Sequence, residues 1–245
     1  MGGRSGPKFQ DSPSETGRMS TDTSIEATFC FVDIAGYTAL TDTHGELAAA
    51  NLVDDFEGLV RASLGPSGHL QSLTGDCAFL TFADPPDALA ALSDLYRSIA
   101  DRQAFPVVRA GLHHGSALFR ANRHFGTTVN LAARVAAQAT GGQILCTREV
   151  ANALRCAALA GIELRHKGSM SLKNLPAPVD LFEVLIASCV RDYAIDPVCK
   201  MQIDTRRAAG DLLFDSKTYW FCSLACAERF AGHPSAYVAS STVTR

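Results

Sequence analysis

An apolar, β-rich run from Ala27 to Val32 ends in a carboxylate, Asp33, and then turns at Gly36 into Tyr37-Thr38. A second carboxylate, Asp76, sits in a tight turn, Thr74-Gly75-Asp76-Cys77, between two further β-prone runs. Carboxylates on neighbouring strand ends can hold a pair of divalent metals about 3.5–4 Å apart, the arrangement used for in-line phosphoryl and nucleotidyl transfer. A third segment, Gly126-Thr-Thr-Val-Asn130-Leu-Ala-Ala-Arg134, reads as a helix in which Asn130 and Arg134, at i and i+4, share one face. Metal ligands plus an arginine donor suggest chemistry on phosphate, which would need a fold that brings two strand ends and one helix together.

The rest of the pattern fits that demand. Leu52, Val53, Phe56, Leu59 and Val60 recur at helical spacing. Leu70 to Phe82 reads as a hairpin turning at Thr74-Gly75-Asp76. Asp84-Pro85 supplies a cap and a first-turn proline for a helix that buries Leu89, Leu92, Tyr96 and Ile99. Pro106 to Leu112 is a predicted strand, with a hairpin partner near Ala117 to Phe119, and the Asn130 helix is expected to stop at Gly141-Gly142. A strand from Gln143 to Cys146, a capped helix from Thr147, and β-prone runs at Ile162 to Arg165 and Val179 to Leu185 complete the unit. This alternation predicts an α+β fold: a mixed, mainly antiparallel sheet with helices on one face.

Size and charge set limits. The 245 residues suffice for one full domain and a small second one. A net charge of -3 argues against a nucleic-acid partner, which needs a basic surface. Apolar stretches are interrupted well before the roughly 20 residues of a membrane span, and the N-terminus has no apolar signal core. A cytoplasmic location is the default expectation. Residues 1–24 are rich in Gly, Ser, Thr, Asp and Pro and read as a disordered leader. The cyclic alternation of strands and helices occupies 25–186, a linker 187–194, and a cysteine-bearing module 195–240.

The two aspartates alone suit several nucleotidyl-transfer palms. A polymerase palm would want a larger protein with a basic template channel, and a diguanylate-forming domain a doubled acidic motif in the hairpin. The Val129-Asn130-x-Ala-Ala-Arg134 helix favours another choice, and Leu172-Lys173-Asn174-Leu175-Pro176 follows in order before the closing strand. Together these segments resemble the class III adenylate and guanylate cyclases over about residues 25–185, a ferredoxin-like palm. The resemblance implies that Asp33 and Asp76 bind two Mg2+ or Mn2+ ions. It also implies that the Ala35-Gly36-Tyr37-Thr38 turn presents backbone N–H groups to the triphosphate of a nucleoside triphosphate. Asn130 would orient the ribose, and Arg134 would stabilise charge on the α-phosphate. In the family the ribose 3′-hydroxyl attacks the α-phosphorus and expels pyrophosphate, at sites shared between two cyclase domains. One such domain here implies a homodimer.

Two positions depart from an ordinary adenylate cyclase. The family's adenine-selecting lysine falls at Ser72 and its partner aspartate at Arg123; Ser72 donates or accepts, whereas Arg123 only donates. The substrate is thus ATP or GTP, and the family's transition-state lysine falls near Lys173. A catalytically inactive sensor or dimerisation module is the competing reading. His113 and His114 are adjacent on a strand, face opposite ways, and read as packing or surface residues rather than a metal pair.

Eight cysteines divide into two groups. Cys30, Cys77, Cys146, Cys156 and Cys189 are scattered singly, and such cysteines in a reducing compartment are mostly small buried hydrophobes. Cys199, Cys222 and Cys226 crowd into a segment too short to be held well by its core alone. Asp196-Pro197-Val198-Cys199 with Tyr219-Trp220-Phe221-Cys222-Ser223-Leu224-Ala225-Cys226 resembles the YHS domain. Cys222 and Cys226, at i and i+4, are expected on one helical face, with Cys199 reaching them from a preceding turn. Three thiolates suit Zn2+ or Cu+. Asp196, His233 and water are the options for a fourth ligand, and metal there is expected to tune the cyclase.

Overall fold

The computed structural model describes residues 22–102, 105–187 and 193–238. Residues 1–21 of the expected leader, Cys189 and residues 188–192 of the expected linker lie outside the described residues. Among the described residues no helix is long and apolar enough to cross a membrane.

The chain runs β1 (Thr23–Ile34), α1 (Tyr37–His44), α2 (Glu46–Ser63), β2 (His69–Thr74), β3 (Cys77–Phe82), α3 (Pro85–Ala100), β4 (Val108–Arg120), β5 (Arg123–Phe125), α4 (Thr127–Gln138), β6 (Ile144–Thr147), α5 (Arg148–Ala157), β7 (Ile162–Met170) and β8 (Val179–Ile186). The sheet order is β2-β3-β1-β4-β6-β8-β7, with β5 paired to β4. Every pairing is antiparallel except β4 with β6. This is the mixed, mainly antiparallel α+β sheet that the sequence pattern predicts.

Alternation along β1 divides the core. Cys30, Val32 and Ile34 face Leu52 and Phe56 of α2, Leu89 and Leu92 of α3, and Val150 and Leu154 of α5. Phe29 and Phe31 face the other way, with Phe79, Ala117 and Ala132, beneath α4. Helices therefore cover both faces rather than one. The reason is visible at Gly111: a Cβ there would lie 2.0 Å from the Ala136 backbone nitrogen, so only glycine lets α4 lie against β4.

Other details also differ from the sequence reading. The expected hairpin between Pro106–Leu112 and Ala117–Phe119 is one continuous strand, β4, paired with β1 from Thr23↔Phe119 to Ile34↔Val108. Gly115 does not turn there. The reversal comes at Ala121 and Asn122, both at positive φ (48° and 58°), and leads into β5. Asp84 does cap α3, accepting from Asp87 N at 2.9 Å. Thr147 stands at the start of α5 but makes no side-chain cap, because its hydroxyl pairs with His113 Nδ1 at 2.8 Å. His114 Nδ1 meets Thr28 Oγ1 at 3.0 Å, so both histidines are engaged in packing.

The C-terminal module adds β9 (Ala194–Ile195), β10 (Gln202–Ile203), β11 (Gly210–Phe214), β12 (Lys217–Phe221), α6 (Leu224–Gly232) and α7 (Pro234–Val238). Strands β9 and β10 pair, and β11 and β12 form a hairpin. The module docks on the sheet domain where α3 ends and β4 begins. Met201 bridges to Pro106, Gln202 N donates to Phe105 O at 3.1 Å, and the Gln202 side-chain amide donates to Ile99 O at 2.6 Å.

Candidate active site and thiol cluster

Asp33 lies one residue before the end of β1, on the same sheet face as Phe29 and Phe31 and hence as α4. Its register partners are Cys77 on β3 and Arg109 on β4. Arg109 Nε donates to Asp33 Oδ2 at 2.7 Å, and Nη2 engages the same oxygen. Arg109 Nη1 reaches Ala139 O, just past α4, at 3.3 Å. The guanidinium thus ties the acid to the end of the helix that carries Asn130 and Arg134.

Gly75 (φ 59°) and Asp76 form the two-residue turn between β2 and β3, and Asp76 O accepts from Ile34 N at 3.1 Å. The carboxyls of Asp33 and Asp76 are close enough to share a hydrogen bond when one is protonated. Burial and then the Asp33 charge push the Asp76 carboxyl above the usual carboxylate range. Two carboxylates facing one guanidinium form an oxygen donor set that suits a hard divalent cation. Cys77, beside them, is pushed up to about 11 by burial and by both aspartates, so it stays a thiol.

Gly36, at φ 79°, opens α1 and lets the chain reverse from β1 into Tyr37 and Thr38. On α4, Asn130 is exposed and Arg134 half-buried. Ser72 is exposed on β2, next to a bulge that sends the Gln71 amide to Thr81 Oγ1 at 2.8 Å. Arg123 is exposed at the start of β5. Their neighbours Gln71, Asn122 and His124 line one open groove, together with His69 and Phe119. Lys173 is exposed in the turn that places Asn174 at φ 59°. Among the described residues, none of Asn130, Arg134, Ser72 or Arg123 joins the Asp33–Arg109 ion pair beside Asp76. Sequence reasoning missed Arg109, although it is the one charge in the apolar run Pro106 to Leu112.

A second constellation lies at the docking surface. Cys199 Sγ is 3.4 Å from Cys222 Sγ, which is 3.7 Å from Cys226 Sγ. His44 Nε2, from the last residue of α1, is 3.8 Å from both Cys222 Sγ and Cys226 Sγ. All four ligand atoms fall within 4.8 Å of one another. Cys222 is not on the helix with Cys226, as the i, i+4 spacing suggested. Ser223 caps α6, its hydroxyl accepting from Cys226 N at 3.2 Å, and this leaves Cys222 in the bend before it. Asp196, a candidate ligand by sequence, is fully buried and already committed. It accepts from Val198 N (2.8 Å) and Cys199 N (3.3 Å) on one oxygen and from Cys222 N (2.9 Å) on the other. His233, the other candidate, is exposed after α6. Hydrogen bonds from the Cys199 and Cys222 thiols hold the Cys226 thiol well below its ordinary range, so the cluster readily carries one thiolate.

Comparison with known proteins agrees with both halves. Residues 88–185 match the adenylate and guanylate cyclase catalytic domain family, and residues 194–240 match the YHS domain family. An uncharacterized protein of Mycobacterium tuberculosis is 32% identical over 165 residues, 67% of this chain and 42% of its own length. A pH-sensitive adenylate cyclase of the same species is 31% identical over 160 residues, 65% of this chain and 40% of its own length. The solved adenylyl cyclase from P. aeruginosa superposes with a TM-score of 0.58 at 24% identity, over 67% of this chain and 95% of that one, a likeness of fold. The chain thus carries a class III adenylate/guanylate cyclase catalytic domain followed by a C-terminal YHS domain. It spans about two fifths of the length of the curated relatives it matches.

Proposed function

We propose that the protein is a cytoplasmic, homodimeric nucleotidyl cyclase that converts ATP or GTP into the 3′,5′-cyclic nucleotide and pyrophosphate. The observation that carries this reading is the convergence of Asp33 and Asp76 at one end of the sheet, with Arg109 as counter-charge, on the face covered by α4. Asp33 and Asp76 hold two Mg2+ or Mn2+ ions. Such a pair, when bound, polarises the α-phosphate and lowers the pKa of the attacking hydroxyl.

The backbone N–H groups from Gly36 to Thr38 receive the triphosphate at the start of α1. Asn130 orients the ribose so that its 3′-hydroxyl faces the α-phosphorus. Arg134 stabilises the charge that develops on the α-phosphate oxygens. Ser72 and Arg123 read the base edge. Each site draws Asn130 and Arg134 from one protomer and Asp33 and Asp76 from its partner. In the YHS domain, Cys199, Cys222 and Cys226 hold a thiophilic cation, Zn2+ or Cu+, that regulates the catalytic domain.

A catalytically inactive nucleotide sensor is the second reading, favoured by the Arg109 ion pair that occupies an Asp33 oxygen. Purified protein incubated with Mn2+ and either ATP or GTP separates the two. Cyclic nucleotide formed by the wild type and lost in Asp33→Asn supports the cyclase. A folded, nucleotide-binding protein that makes no cyclic product from either triphosphate supports the sensor.

A further inference from the structure

The thiol cluster contains a residue that its own domain does not supply. Three sulfurs and one imidazole nitrogen converge with neighbouring separations of 3.4–3.8 Å. A disulfide would need about 2.05 Å, so the sulfurs are not bonded to one another. A tetrahedral Zn2+ with bonds of about 2.3 Å to sulfur and 2.0–2.1 Å to nitrogen separates its sulfurs by about 3.8 Å and sulfur from nitrogen by about 3.6 Å. The sulfur–sulfur distances of 3.4 and 3.7 Å fall a little short of the first value and the sulfur–nitrogen distances of 3.8 Å a little exceed the second, so small shifts of the ligand atoms suffice.

The surrounding groups already hold the ligands in place. Asp196 uses both carboxylate oxygens to fix the backbone of Cys199 and Cys222, and Ser223 fixes that of Cys226. Arg229 of α6 donates to Asp42 O at 3.1 Å and Thr43 Oγ1 at 3.3 Å, which seats α6 against the end of α1. At the other end of α1 the tail also makes contact: a Cβ on Gly36 would lie 2.6 Å from Lys200 Cβ and Cγ. The module therefore straddles α1, meeting Gly36 just before the helix begins and His44 where it ends.

We propose that Cys199, Cys222, Cys226 and His44 form one tetrahedral site for a thiophilic d10 cation of the zinc class. Its imidazole ligand comes from the cyclase domain, so metal loading fastens the YHS domain across α1. This rests on the reading of the three thiols as metal ligands and adds the fourth ligand and its consequence. Because α1 begins at the turn proposed to receive triphosphate, an ion bound at its far end fixes the position of that turn. A helix of eight residues is only about 12 Å long, so little compliance separates the two ends.

The test uses the full, reduced chain and zinc alone. Wild type should bind one Zn2+ per chain in competition with a chromophoric chelator, and zinc-edge X-ray absorption should report three sulfurs with one imidazole. His44→Gln and His44→Ala should weaken binding by at least about 100-fold, since losing even an outer partner of a ligand costs 10–100-fold. His233→Ala should bind as wild type does. Zinc should slow hydrogen exchange across α1 in the wild type and leave it unchanged in His44→Gln.

Absence of zinc binding by the wild type would overturn this inference, and absence of Cu+ binding as well, in the same competition with a cuprous chelator, would overturn the thiolate reading beneath it. One zinc with three sulfurs, no imidazole signal, and equal affinity in the His44 variants would overturn the inference alone. The X-ray absorption arm needs no variant to fold.

Discussion

The sheet domain packs Phe29, Phe56, Leu80, Leu92 and Leu112 to near-complete burial on both sides of a seven-strand path, whereas the YHS domain gathers six buried core residues, two of them thiols. In the first region apolar burial sets the geometry, and the polar site is mounted on strands that stand without it. In the second, Cys199 and Cys226 are at once core and candidate ligands, so an ion there contributes to folding itself. On the cyclase reading proposed above, a site mounted on an independent scaffold can release metals and nucleotide at every turnover. A site that is part of the core cannot be emptied without loosening what surrounds it.

The sharpest way to test that contrast is to remove one acid. Asp33→Ala should lower cyclic nucleotide formation by at least about 1,000-fold, comparable to deleting a strong transition-state donor. Zinc stoichiometry should be unaffected; a shared loss of zinc would show the two sites to be coupled rather than separate. Gly111→Ala attacks the scaffold instead. The added Cβ meets the Ala136 backbone at 2.0 Å, so α4 must lift and stability should fall by about 3 kcal/mol, read as a drop in denaturation midpoint.

Asp196→Ala is the corresponding change in the tail. It orphans three backbone N–H groups and should cost about 2 kcal/mol, with weaker zinc retention measured by chelator competition. A sheet domain that melts as before would confirm that the loss is local.

The smallest expected effect has the opposite sign. The Asp76 carboxyl is raised by burial and then by Asp33, so the native state binds protons more tightly than the unfolded chain. Its contribution to stability is therefore lost as pH rises from the ordinary carboxylate value through the raised one. Asp76→Asn should raise the Tm of protein stripped of divalent ions by about 2 °C at neutral pH while abolishing turnover. Unchanged or lowered Tm would mean that Arg109 already neutralises the pair.

Legibility in the sequence followed the range of the interactions involved. The runs around Phe29, Phe79 and Val184 announce strands because alternation is local, and Asp84-Pro85 announces a helix start for the same reason. Strand β4 was cut short in the sequence reading because Gly115 looks like a turn; pairing with β1 along the whole length overrides it. Periodicity on α4 defines an apolar face but not which side of the sheet receives it, and Gly111 settles that through a contact 25 positions away. Asp33 and Asp76 were readable as acids in turns. Arg109 became meaningful only through register. His44, in the polar string Thr41-Asp42-Thr43-His44, gives no local sign of its neighbours.

That last residue has a consequence for how the chain is made. His44 and Cys222 are separated by 178 positions. During synthesis α1 leaves the ribosome long before any sulfur of the cluster, and the sheet domain has time to fold with its imidazole still waiting. Closing so long a loop costs little more than closing a shorter one, about 0.6 kcal/mol for each doubling. A chain cut short before Cys226 would lack one of the four candidate ligands, so the proposed link to His44 closes only after the segment from Cys199 to Cys226 has been made.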